Sequence, residues 1–151
     1  MDKSLGVQKR TLENVVLLAS RLLLAWVFVY EGVFLVMNFA AASASMAKSG
    51  VPAPALVATI CLQLVCGIAI ATGWYARLGA AALGLFCLAT AILFHTNFAN
   101  RNELLHFEKD LAIAGGMFIL MLRGGGEYSV RAFAEQKGKH ESDWQWRFRP
   151  F

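Results

Sequence analysis

The chain has 151 residues and a formal net charge of +4, and 58% of it is hydrophobic. Its mean hydropathy is +0.53, and the apolar excess over the roughly 45–50% of soluble domains gathers in four blocks. A soluble domain of this size leaves too much surface in water to hide four such blocks. Its basic residues flank the blocks and form no patch wide enough for nucleic acid, so both of those classes are excluded. The expectation is an all-α, integral-membrane four-helix transmembrane bundle with the lipid bilayer as its first partner.

The first block runs from Val15 to about Phe39 and is interrupted by Arg21 and Glu31. It exceeds the roughly 20 residues that span hydrocarbon. Ala42-Ser43-Ala44 behind it resembles a signal-peptidase site, but a signal core is only about 7–15 residues long, so the block reads as a retained anchor. The second block, Ala55 to Gly73, follows Gly50-Val51-Pro52-Ala53-Pro54, a stiff turn that prolines hold at a helix mouth. The third runs from Arg77 to about Phe94 and is rich in small residues (Gly79, Ala80, Ala81, Ala82, Gly84) suited to close helix packing. The fourth has an uncharged stretch only from Leu111 to Leu122, about 18 Å against a core of about 30 Å. Extending it back to Leu104 brings in His106, Glu108, Lys109 and Asp110, which gives the helix one wet end. Gly124-Gly125-Gly126 then stops it.

These bounds divide the chain into an N-terminal segment 1–14, a membrane domain 15–123, and a turn and tail 124–151. The tail ends in Asp143-Trp144-Gln145-Trp146-Arg147-Phe148-Arg149. It is expected to be unstructured, the alternative being aromatics and arginines lying on an anionic membrane surface.

Orientation follows from the Lys and Arg beside the spans. Lys3, Lys9, Arg10, Arg21, Arg77, Arg123, Arg131, Lys137, Lys139, Arg147 and Arg149 fall on the side of the termini. Lys48, Arg101 and Lys109 fall on the other. Eleven against three places both termini of a multi-pass membrane protein in the cytoplasm. Cysteines do not alter this reading: Cys61 and Cys66 lie about 140° apart around one helix and cannot bridge, and Cys87 belongs to another span.

Ionisable residues inside spans are costly and mark candidate sites. Arg77 and Arg123 stand at helix ends, where arginines snorkel to headgroups. Arg21 lies about 9 Å deeper and needs a partner or a water path. The other polar groups gather at the opposite ends of the helices: Glu31, Gln63, His95, Asn97, Glu103, His106 and Asp110. On a helix Glu103, His106 and Asp110 share an arc of about 60°. Either these seven form a structural polar cap, or His95 and His106 with Phe94 and Phe98 supply a lipid-accessible, aromatic-lined pocket for a quinone. Glu103-Leu104-Leu105-His106 supplies the Glu-x-x-His element of di-iron bundles only once, so no di-metal centre is expected, and the spacing of His95, His106 and Asp110 is not diagnostic of a single-metal site.

In order along the chain, these residues resemble the DoxX family of small bacterial inner-membrane proteins from about Arg21 to Ala132. The resemblance is carried by Arg21 and Gly32, the Gly50-x-Pro52-x-Pro54 turn, and Gly67, Gly73 and Arg77. It continues through Phe94-His95-Thr96-Asn97-Phe98, Lys109-Asp110-Leu111, Gly115-Gly116, and Gly124-x-Gly126 before Tyr128-Ser129. The chain departs from the family pattern at Leu35, where a lysine is common, and at Gln63, where a glutamate is common. It also departs at Cys66-Gly67, in place of Gly-Gly, and at Ser129-Val130-Arg131, in place of Ser-Leu-Asp. The resemblance implies a four-helix fold. The family's namesake belongs with a thiosulfate:quinone oxidoreductase, and some relatives associate with redox-stress proteins. It therefore implies a membrane component of a redox or stress-linked assembly, with quinone as the candidate cofactor, a redox protein as candidate partner, and an oligomer allowed. The alternatives are a small-molecule or ion carrier and a non-catalytic structural subunit.

Overall fold

The computed structural model describes residues 2–48 and 50–147. Among them every regular element is a helix: α1 (Asp2–Met37), α2 (Phe39–Lys48), α3 (Ala53–Thr72), α4 (Ala76–Phe94), α5 (Arg101–Arg123) and α6 (Val130–Arg147). Three are long and apolar enough to cross a membrane: Ser4–Met37 within α1, then Ala53–Thr72 and Ala76–Phe94. α5 has 23 residues, so it is about 34 Å long. Its first three turns carry the charges that mark it as wet at one end.

The four long helices pack in the order α1–α3–α4–α5 around one core. Ile70, Leu83 and Met117 are fully buried there. Small residues set the spacing, as lipid-embedded helices require. A methyl on Gly67 would come within 2.8 Å of Val29 Cγ2, and one on Gly84 within 3.0 Å of the Phe118 ring, so α1 meets α3 and α4 meets α5 at glycines. Outward-facing Leu23, Trp26, Val65, Leu78, Leu85, Leu93 and Ile119 are exposed. Large apolar side chains exposed along every spanning helix belong in lipid.

Helix extends beyond the apolar blocks at both ends of the chain. α1 begins at Asp2, so the segment before Val15 continues the first helix. The chain breaks only at Asn38, whose backbone and side-chain N–H groups both bond the Phe34 carbonyl, and the Ala-rich α2 follows. The tail is helical from Val130 to Arg147 rather than unstructured. Ser129 caps α6, its Oγ accepting the Ala132 N–H at 3.2 Å, and Arg131 bonds Glu135 one turn on at 2.8 Å. Phe148 and Arg149 lie outside the described residues.

The proline turn lies where expected. Pro52 is the N-cap of α3 and a proline occupies its first turn, where no N–H is needed. At the other end of α3, Gly73 closes the helix with φ 76°. A methyl there would meet Ser129 Cβ at 2.4 Å and Arg21 Nη1 at 2.6 Å. Gly115, in mid-α5, faces open space. Gly115→Ala is therefore expected to raise stability by up to about 1 kcal/mol through helix propensity. Gly73→Ala is expected to destabilise by more than that through left-handed strain and overpacking. Thermal melting of both variants in detergent checks the opposite signs.

Candidate functional site

The bundle has two polar ends. At one, Arg21 is 2% exposed although it stands on a membrane-spanning helix. Its Nη1 donates to the Gly125 carbonyl and its Nη2 to the Tyr128 carbonyl at 2.7 Å. Both acceptors belong to the turn between α5 and α6. That turn is held a second time at Glu127, which accepts from Arg10 at 2.9 Å and from Asn14 at 2.7 Å. Ser129 tightens it by donating to the Gly126 carbonyl at 2.8 Å. Glycine is needed at 73 and 125 because the two backbones touch: a methyl on Gly125 would sit 2.7 Å from the Gly73 carbonyl oxygen. Arg21, Gly73, the glycine turn and Ser129 thus form one structural knot. Arg77 lies along Gly124. Arg123, like Arg77, is exposed at the helix end.

At the opposite end, α1, α3, α4 and α5 enclose a cavity of ≈ 360 Å³, within the usual range of about 300–1,000 Å³ for small-molecule sites. Its polar lining comes from Glu31, Gln63, Thr90, His95, His106, Lys109 and Asp110. Its apolar walls are Val27, Phe28, Phe86 and Ile113. α5 brings its residues here because Asn100 caps it, accepting the Asn102 N–H at 2.9 Å. α4 ends on His95, whose N–H still bonds the Ala91 carbonyl.

Most of these groups are already engaged. His95 Nδ1 lies 2.7 Å from Glu103 Oε2, both half-buried. The His95 and His106 rings stack with centroids 5.1 Å apart. Lys109 Nζ donates to His106 Nδ1 at 3.3 Å, and Thr90 Oγ1 donates to Asp110 Oδ2 at 3.0 Å. Gln63 is different. It is 5% exposed, and its Oε1 is buried with no hydrogen-bond partner.

Of the residues singled out in the sequence, Glu31, Gln63, His95, His106 and Asp110 line the cavity together, and Glu103 joins through His95. Asn97 does not: it sits exposed in the α4–α5 loop, where its carbonyl accepts the Asn100 N–H. The sequence reading passed over Thr90 and did not place Lys109 in the cluster. Thr90 had a visible signal, as the one hydroxyl in the third apolar block. Among the described residues no three His, Cys, Asp or Glu side chains converge as metal ligands.

Comparison with known proteins agrees with this architecture. The DoxX family model matches residues 16–96, more than half of the chain. The inner membrane protein YqjF of Escherichia coli K12 is 35% identical over 128 residues, covering 85% of this chain and 98% of its own. The inner membrane protein YphA of the same organism is 29% identical over 123 residues, covering 77% of this chain and 88% of its own. No solved structure gives a significant match. With apolar spanning helices and inner-membrane relatives, the chain is a multi-pass protein of the bacterial inner membrane, and it belongs to the DoxX family.

Proposed function

We propose that this chain is a four-span membrane component of a redox-linked assembly, and that the cavity beside His95 receives the headgroup of a quinone. The observation that carries the reading is Gln63 Oε1, a buried acceptor with no donor, on the wall of a cavity where His95 is paired with Glu103, Lys109 with His106, and Thr90 with Asp110. An unmet buried acceptor costs about 1–3 kcal/mol, a cost that a ligand hydroxyl removes. A quinol hydroxyl donates to Gln63 Oε1. The same amide, turned over, offers its N–H to a quinone carbonyl, so one side chain serves both redox forms. Phe28 and Phe86 flank the ring, and the isoprenoid tail runs out into lipid. Interconversion of the two forms moves two electrons and two protons. The electrons pass to or from a redox protein at the membrane surface, and the protons pass through the His95–Glu103 pair and Asp110.

Purification in mild detergent followed by solvent extraction tests this. The expected result is a stoichiometric quantity of quinone with the protein. Quinone no higher than in empty micelles from the same membranes would count against it, and solute flux into liposomes would favour a carrier instead.

In this reading the fourth crossing is α5, segments 1–14 and 124–151 are cytoplasmic, and the cavity lies toward the periplasm. The basic asymmetry supports that orientation. A cysteine introduced near Lys48 is expected to react with an impermeant maleimide in intact spheroplasts. A reporter after Phe151 is expected to be active only in the cytoplasm, and labelling of the tail from outside would reverse the topology.

A further inference from the structure

We propose that the Arg21 end holds a specific anionic phospholipid, with its phosphate at Arg123 and Arg77 and one acyl chain in the groove between α1 and α5. Of the four neighbouring pairs around the bundle, α1 and α5 are the least closely packed. The gap between them is a groove of ≈ 560 Å³. Val16, Leu17 and Leu24 of α1 face Gly116, Ile119 and Leu120 of α5 across it. From Arg123 to Gly116 the groove descends about 10 Å into the membrane, a depth suited to part of an acyl chain. A second cavity, of ≈ 380 Å³, opens at its upper end.

Arg123 and Gly126 line both spaces, so the apolar groove runs into a basic mouth. Arg77 stands in that mouth beside Arg123. Neither makes an ion pair among the described residues, whereas Arg131, also there, is already paired with Glu135. Glu13 lies on the α1 rim, and the two unpaired guanidiniums outnumber it. Two free guanidiniums above an apolar slot match the phosphate and tail of a lipid. Arginines at such a site recognise phosphate through fixed planar donors, and basic clefts between spanning helices select anionic headgroups. The glycines contribute as well. Gly116 lines the groove, where a methyl would make ordinary contact with Leu24 at 3.4 Å and a larger side chain would fill the space.

Native mass spectrometry of the delipidated protein, with dioleoyl phosphatidylglycerol or dioleoyl phosphatidylcholine added back, tests the site. One phosphatidylglycerol per chain is expected to survive desolvation, with phosphatidylcholine lost under the same conditions. Arg123→Gln and Arg77→Gln should each weaken the adduct about fivefold, the factor that one basic residue near an anionic lipid surface contributes. Gly116→Leu, which fills the groove, should remove it, and millimolar inorganic phosphate should neither bind nor displace the lipid. Equal retention of the two lipids overturns the proposal even if a variant fails to fold. So does an undiminished adduct in both arginine variants, or displacement by free phosphate, which would mark a plain anion site.

Discussion

Arg21→Leu is expected to remove most of the folded, monodisperse protein from detergent extracts, while Arg77→Leu leaves the yield close to wild type. Both arginines stand toward the same side of the membrane, but Arg21 lies about 9 Å deeper in its span. Their surroundings differ. Arg21 is sealed in the bundle with its guanidinium bonded to the Gly125 and Tyr128 carbonyls. Arg77 is exposed and lies over Gly124. Leucine at 21 would remove both hydrogen bonds to these part-buried carbonyls, and bonds to a charged group contribute about 1.5–3 kcal/mol each; it would also release the turn that ties α5 to α1 and α3. Arg21→Lys should fall between the two, because one ammonium does not reproduce the planar fork that reaches both carbonyls. Size-exclusion profiles of fluorescent fusions measure the series, and equal yields for Arg21→Leu and Arg77→Leu would contradict the knot.

The second large effect is expected at the opposite end of the bundle, where function rather than folding should fail. His95 and His106 sit at the ends of their helices, half-buried, stacked on each other and outside the main apolar cluster. His95→Ala and His106→Ala are expected to keep near-normal membrane yield and melting temperature and to lose the retained quinone. If the cluster were only a cap, the pattern would invert. His95→Ala would strand Glu103, now 2.7 Å from the ring, and the protein would melt markedly earlier with its ligand content unchanged per folded molecule.

Much of this molecule is legible in its sequence because lipid simplifies the reading. A helix in hydrocarbon satisfies its own backbone, so apolar length alone locates α1, α3 and α4. The proline turn and the glycine stop then place their ends. Depth is equally legible: Arg21 stands far enough along α1 to require a partner. The partner itself is not. The Gly125 carbonyl is 104 positions away along the chain, and no local pattern announces that a glycine turn will fold back over an arginine. The cavity was legible as a level in the membrane, since helix ends fix which residues share a height. Lateral position was harder to read. Asn97 lies at that height but beyond the last turn of α4, where the chain leaves the bundle axis. Thr90 and Lys109 lie on the cavity side of helices that helical periodicity alone could not orient toward one another. The tail reads as unstructured from its charge, yet Ser129 starts a helix there by capping it, a role fixed by the same turn that Arg21 holds.

Gln63 is the sharpest probe of the proposed site, because the two readings assign it opposite behaviour. A carboxamide oxygen buried without a partner destabilises the empty protein, and leucine has a similar volume with nothing to satisfy. Gln63→Leu should therefore fold at least as well as wild type in the absence of ligand. Ligand binding to the folded state alone raises its stability, by about 2.7 kcal/mol at a hundredfold excess over Kd. The deciding measurement is the melting temperature of the quinone-stripped protein with and without a short-tailed quinol. The account predicts a clear rise for wild type and none for Gln63→Leu. No rise in wild type, or an equal rise in both, would contradict it.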